Sequence, residues 1–203
     1  MTPEEIQHRL LRYVCLSPDE ARAFADALET FRFPKKSAVL EAGQLCSHFY
    51  WVQSGCLVNF YTDTNGVDHV MQIAIENWWS TDLAAFLNNG RATYRIEAVS
   101  EVTLLGLSKS NMDSLLEKHP AFERYFRIIF QNALVSHQRR ILQNVTALAD
   151  ERYHDFNRQF PGLEQTVPLK FIAAYLGITP QFLSKLRKRA LLNESHEKRR
   201  NSY

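Results

Sequence analysis

The spacing of apolar positions changes twice along the chain. Over residues 3–30 it is helical, with Ala21, Phe24, Ala25 and Leu28 recurring behind the capping-box pair Ser17 and Glu20. From Phe31 to about Leu107 the apolar runs are short or alternating. Turn residues separate them at Lys35-Lys36, Glu41-Ala42-Gly43, Ser54-Gly55, Asp63-Thr64-Asn65-Gly66 and Asn88-Asn89-Gly90. Asn65-Gly66 lies between Val58-Asn59-Phe60-Tyr61 and Val70-Met71-Gln72-Ile73, which predicts a hairpin because both turn residues tolerate positive φ. Many short strands at this spacing predict a barrel, roll or sandwich, with one short helix over Trp79 to Leu87.

From Ser110 the period is helical again. Ser110 is placed to cap a short helix ending near His119-Pro120, and a long helix follows from about Pro120 to Thr146. Its apolar positions, Phe122 and Phe126 through Ile129, Ala133 and Leu134 to Ile141, Leu142 and Val145, form a stripe too broad for one small domain, so part of it is expected to meet a partner helix. Phe122, Phe126, Ile129 and Ala133 are the candidate dimer contacts. A further helix over about Ala149 to Phe160 ends at Pro161-Gly162.

Residues 168–189 then read as two short helices, about 169–176 and 180–189, with Gly177 where the chain turns sharply. Ala173 allows the helices to approach. Ile172, Leu176, Ile178, Leu183 and Leu186 supply the apolar contacts of the crossing, Thr179 caps the second helix, and Pro180 suits its first turn. This is a helix-turn-helix pattern. Its second helix exposes donors of a kind that reach base edges and phosphates in a major groove. Gln181, Ser184 and Lys185 are expected nearest the bases, beside the capping Thr179, and Lys170, Arg187, Lys188 and Arg189 on phosphates. An ordinary helical hairpin with a solvated basic face is the competing reading.

Charge supports a polyanion partner for this end. The 203 residues carry a net +2, yet from Lys170 onward eight basic residues face only Glu194 and Glu197, a net +6, which leaves the remainder at −4. No apolar run is long enough to span a membrane, and Met1-Thr2-Pro3-Glu4-Glu5 lacks the pattern of a secretory leader, so a cytoplasmic protein without membrane contact is expected. Cys15, Cys46 and Cys56 show no metal-ligand or disulfide spacing and read as buried small hydrophobes. No glycine-rich phosphate loop, nucleophile elbow or His-Glu-x-x-His run occurs, so no enzymatic activity and no metal are expected. A metalloenzyme on a cupin-like roll would need converging histidines, and His48 and His69 stand apart.

Strands, a long helix and a helix-turn-helix in this order resemble the cyclic-AMP receptor protein / Fnr (Crp/Fnr) family of bacterial regulators. The stretch Phe49-Tyr50-Trp51-Val52-Gln53-Ser54-Gly55 resembles a strand and turn of its effector domain, Asp63-Thr64-Asn65-Gly66 its hairpin, and Ile172 to Lys188 its DNA-reading unit. The resemblance implies an α+β fold with three parts. These are a cyclic-nucleotide-binding-like antiparallel β-roll (jelly roll) with flanking helices over residues 1–119, a central dimerisation helix over 120–146, and a helix-turn-helix DNA-binding domain over 147–203. It implies a homodimer on double-stranded DNA, with RNA polymerase as a further partner. A small-molecule sensor with vestigial DNA binding is the alternative.

The chain departs from the family at its phosphate cassette. Members that bind cyclic AMP carry Gly-Glu and, about ten residues later, Arg-Ser or Arg-Thr, because a guanidinium must neutralise the cyclic phosphate. Here Thr81-Asp82 replaces Gly-Glu and Ala92 stands at the arginine position, with Thr93 retained. Asp82, Leu83, Arg91, Thr93 and Arg95 are the candidate effector residues, and cyclic AMP is not expected as the effector. Trp78 and Trp79 either flank a ligand or close the end of the barrel. The scattered cysteines do not suit an iron–sulfur centre, and no two of His48, His69, His119, His137 and His154 suggest haem ligation. After Leu192 the chain is polar, so a full β-hairpin wing is not expected, and Lys198, Arg199 and Arg200 are candidates for a phosphate-binding arm.

Overall fold

A computed structural model describes residues 1–189. The proposed arm at Lys198, Arg199 and Arg200, and the question of a wing after Leu192, lie outside the described residues. The predicted N-terminal helical stretch is two helices, α1 (Pro3–Leu10) and α2 (Pro18–Asp26), each opened by a full capping box, Thr2 with Glu5 and Ser17 with Glu20. Pro18 can begin a helix but cannot continue one, so the chain breaks before it.

Strands start at Leu28, earlier than the sequence pattern indicates. They are β1 (Leu28–Phe33), β2 (Ala38–Leu40), β3 (His48–Ser54), β4 (Leu57–Thr62), β5 (Asp68–Ala74), β6 (Trp79–Ser80), β7 (Arg95–Ala98) and β8 (Val102–Ser108). They form two four-stranded antiparallel sheets, β1-β8-β3-β6 and β2-β7-β4-β5, which make the roll. The predicted hairpin joins β4 to β5. Gly66 takes φ 77° there, and the Asp63 carboxylate accepts from the Asn65 and Val67 amides at 2.8 and 3.0 Å. Gly55 is required for a different reason: a Cβ on it would lie 2.3 Å from the Glu101 carbonyl oxygen. The predicted Trp79–Leu87 helix is shorter. Trp79 pairs with Trp51 as a strand residue, and α3 (Leu83–Leu87) begins only after Asp82.

Helix α4 (Lys109–Lys118) is capped by Ser108 rather than Ser110, the Ser108 hydroxyl accepting from Asn111 N at 3.2 Å. Then follow α5 (Pro120–Thr146), α6 (Ala149–Gln159), α7 (Leu169–Tyr175) and α8, helical from 180 to the last described residue, 189. Phe24 of α2 ties the first half of α5 to the roll. Its ring stacks on Phe122 at 5.0 Å and lies within 6.5 Å of Trp51, Trp79, Tyr125 and Phe126. Aromatic contacts of this density fix where the long helix starts against the sheets.

Strand β4 is covered on both faces. Leu57 and Asn59 point into the roll, while the alternate positions Val58 and Phe60 join Val70 and Ile73 of β5 against α6, α7 and α8. Phe60 meets Phe171 at 5.0 Å, and Leu183 and Leu186 of α8 belong to the same buried cluster. The C-terminal helices therefore share one core with the outer face of a roll sheet.

Candidate DNA-reading face and effector cavity

Gly177 lies between α7 and α8 with φ 66°, and a Cβ there would meet no atom within 4 Å. Its requirement is thus one of backbone conformation rather than space. The Thr179 hydroxyl caps α8 by accepting from Phe182 N at 3.2 Å. Leu183 and Leu186 turn inward, while Gln181, Ser184, Lys185, Lys188 and Arg189 are exposed. Two candidate phosphate contacts are occupied within the chain. Lys170 pairs with Asp68 of β5 at 3.1 Å and lies over the Phe171 ring, and Arg187 pairs with Glu164 at 3.2 Å. The Ser184 hydroxyl donates to the Pro180 carbonyl at 3.0 Å. The sequence reading missed Phe182, 39% exposed among these donors and able to offer an apolar contact to a thymine methyl.

Among the candidate dimer contacts, Phe122 and Phe126 are buried inside this chain, in the cluster around Phe24, so they are corrected to core positions. Ile129 is half-buried and Ala133 exposed. The unpaired apolar surface lies further along α5. Leu134, Ile141 and Val145 are spaced seven and four residues apart and are all more than half exposed, with Val135 and Leu142 alongside. That is the spacing of a coiled-coil seam.

A cavity of about 730 Å³ opens between the roll, the middle of α5 and the C-terminal helices. Phe49, Trp78, Trp79, Tyr94 and Phe130 supply aromatic walls, so the tryptophan pair does border a cavity. Trp79 is also core, its indole N–H donating to the Tyr125 hydroxyl at 2.9 Å. Most polar groups on the roll side are satisfied by one another. Asn59 Nδ2 donates to Gln72 Oε1 (3.1 Å), Gln72 Nε2 to the Trp79 carbonyl (3.0 Å), and the Tyr94 hydroxyl to the Thr81 carbonyl (2.9 Å). Burial pushes the Tyr94 phenol up, further from ionisation.

Of the five candidate effector residues only Leu83 lines this cavity. Asp82 is buried, and its carboxylate accepts from Ala85 N at 3.2 Å and Thr93 N at 2.8 Å. It thereby fills the place where backbone amides would hold an external anion. Arg95 is committed to Glu41 and Glu97 at 3.0 and 3.3 Å, and Arg91 donates outward to the Gly43 carbonyl at 2.8 Å. The charged candidates Asp82, Arg91 and Arg95 are thus all engaged within the chain.

Cys46 and Cys56 are buried as expected, and burial raises their thiol pKa values, Cys56 to about 12, whereas Cys15 is exposed, contrary to the sequence reading. Among the described residues no group of three or more His, Cys, Asp or Glu side chains converges to hold a metal, and no helix is long and apolar enough to cross a membrane.

Residues 30–119 match the family model described as Cyclic nucleotide-binding domain. The chain is 27% identical over 179 residues to the protein named "Probable transcriptional regulator flp" of Lacticaseibacillus casei, covering 84% of this chain and 80% of that protein. The fold resembles FixK2 from Bradyrhizobium japonicum with a TM-score of 0.72 at 13% identity, over 82% of this chain and 86% of that one. It resembles the c-di-GMP-responsive global regulator CLP of Xanthomonas campestris with a TM-score of 0.70 at 11% identity, over 88% and 93%. The chain is thus similar to Crp/Fnr-type transcription regulators, with a match to the cyclic nucleotide-binding domain over residues 30–119.

Proposed function

We propose that the protein is a homodimeric, sequence-specific DNA-binding regulator of transcription, in which α8 of each copy enters a major groove. The observation that carries this reading is the left-handed turn at Gly177, which leaves one side of α8 polar and exposed while Leu183 and Leu186 anchor the other. In this reading residues 1–119 form the effector domain, 120–146 the dimerisation helix and 147–203 the DNA-binding unit, an organisation supported by the exposed seam on α5. Gln181, Ser184 and Lys185 meet base edges, and Lys188 and Arg189 meet phosphates. Lys170 and Arg187 join them by exchanging partners. The Lys170 side chain is 59% exposed in its pair with Asp68, and a pair open to solvent on one side is worth about 0–1 kcal/mol, so a phosphate can displace the carboxylate. RNA polymerase is the machinery such a regulator acts on.

Cyclic AMP is not the effector in this proposal, and the regulator acts without enzymatic chemistry. The test is selection from a random duplex pool with the purified full chain. Enrichment of a pseudo-palindrome whose half-sites lie about 34 Å apart, or a multiple of that spacing, supports the reading. No enriched motif, together with binding that ignores salt, overturns it.

A further inference from the structure

Arg140 is a half-buried cation on the cavity wall. Among the described residues no carboxylate lies within ion-pair range of it. One of its N–H groups donates to the Val70 carbonyl at 2.9 Å, and its guanidinium lies 4.9 Å from the centre of the Tyr175 ring. Burial lowers its pKa, which is the signature of a charge that has lost water without gaining an anion. His137 and Arg12 border the same cavity, and Arg12 also has no carboxylate in ion-pair range among the described residues. A partly desolvated guanidinium is costly to leave unpaired and well shaped to take a carboxylate in two hydrogen bonds.

Among the described residues the cavity wall carries the cations Arg140 and Arg12 and no carboxylate, while Asp82 lies outside its lining, held by the Ala85 and Thr93 amides. The aromatic walls beside these cations have neighbouring polar groups that are mutually satisfied. The geometry points to a small organic acid with an apolar, aromatic body as the ligand, its anionic head on Arg140 and its body among Phe49, Trp78, Trp79 and Phe130. This rests on the effector-domain reading above and adds the ligand class to it. Because Arg140 also contacts β5 and, through Tyr175, α7, an acid bound there would compete for the group that ties the roll to the DNA-reading helices.

Two fluorescent probes test this on the full chain without DNA, so the result stands apart from the fate of the DNA-binding proposal. Anilinonaphthalene sulfonate carries an aromatic body and an anionic head. N-phenyl-1-naphthylamine has a similar body without charge. Titration followed by energy transfer from tryptophan is expected to show one sulfonate site per chain, bound at least tenfold tighter than the neutral amine. Arg140→Met should weaken the sulfonate tenfold or more and leave the amine within threefold, while Arg140→Lys should recover part of the loss. Leu83→Trp, which narrows the cavity, should exclude both probes, with circular dichroism checking that each variant folds. Equal binding of the two probes in the wild type, or sulfonate binding indifferent to Arg140→Met or to Leu83→Trp, overturns the proposal. So does displacement of the sulfonate by stoichiometric cyclic AMP, or binding of neither probe.

Discussion

Replacing Gly177 isolates what the turn contributes. Its φ is 66°, and no atom lies within 4 Å of a built Cβ, so a side chain there adds conformational strain without collision. An L-residue held in the left-handed region costs about 1–2 kcal/mol. For a chain of this length each kcal/mol lowers Tm by about 2–4 °C, so Gly177→Ala should lower it by about 2–8 °C. Gly177→Asn should cost clearly less, because asparagine adopts this conformation readily, and Gly177→Val at least as much as alanine. Thermal unfolding followed by circular dichroism at fixed protein concentration reads the order directly. DNA affinity should fall in the same order if the strained variants relieve φ by turning α8 away. The reasoning is refuted if asparagine costs as much as valine, since φ would then not be what glycine supplies, or if valine costs nothing.

Two further perturbations address dimerisation and pH. Ile141→Glu combined with Val145→Glu places charge on the exposed α5 seam and should shift sedimentation from two chains to one, with circular dichroism unchanged; a surviving dimer would move the interface elsewhere. His137 is held below its ordinary pKa of 6.5, first by burial and then by the Arg140 guanidinium. Its folded value lies below its unfolded one, so the unfolded chain binds more protons as pH falls. This histidine's contribution to stability is intact above about 6.5 and is lost below it. Urea midpoints measured downward from neutral pH should decline less steeply in His137→Gln, and identical slopes would remove the assignment.

Features written in local residue chemistry were legible without coordinates. Asn65-Gly66 announces the β4–β5 hairpin, Gly177 and Thr179 announce the start of α8, and the long apolar period from Pro120 announces α5. Cap choice was less legible. Ser108 and Ser110 are two residues apart, and which one caps depends on where β8 ends. Facts set by long-range contact were hidden. The apolar stripe on α5 shows its breadth but not its division, since only the packing of Phe24 reveals that Phe122 and Phe126 belong to the chain's own core. Arg95 looks available in sequence because Glu41 is 54 residues away. Arg140 and Tyr175, from helices apart in sequence, meet at the cavity only because α7 packs against β5.

The central claim is that the polar side of α8 reads DNA. It is tested most directly by affinity for the selected duplex across a salt series, in wild type, Gln181→Ala and Lys188→Ala. Gln181→Ala should relax the preference at one base pair per half-site by about 1–3 kcal/mol, and Lys188→Ala should weaken all sequences alike while reducing the salt slope by about one. Wild-type sequence preference and salt slope retained in both variants would contradict the account.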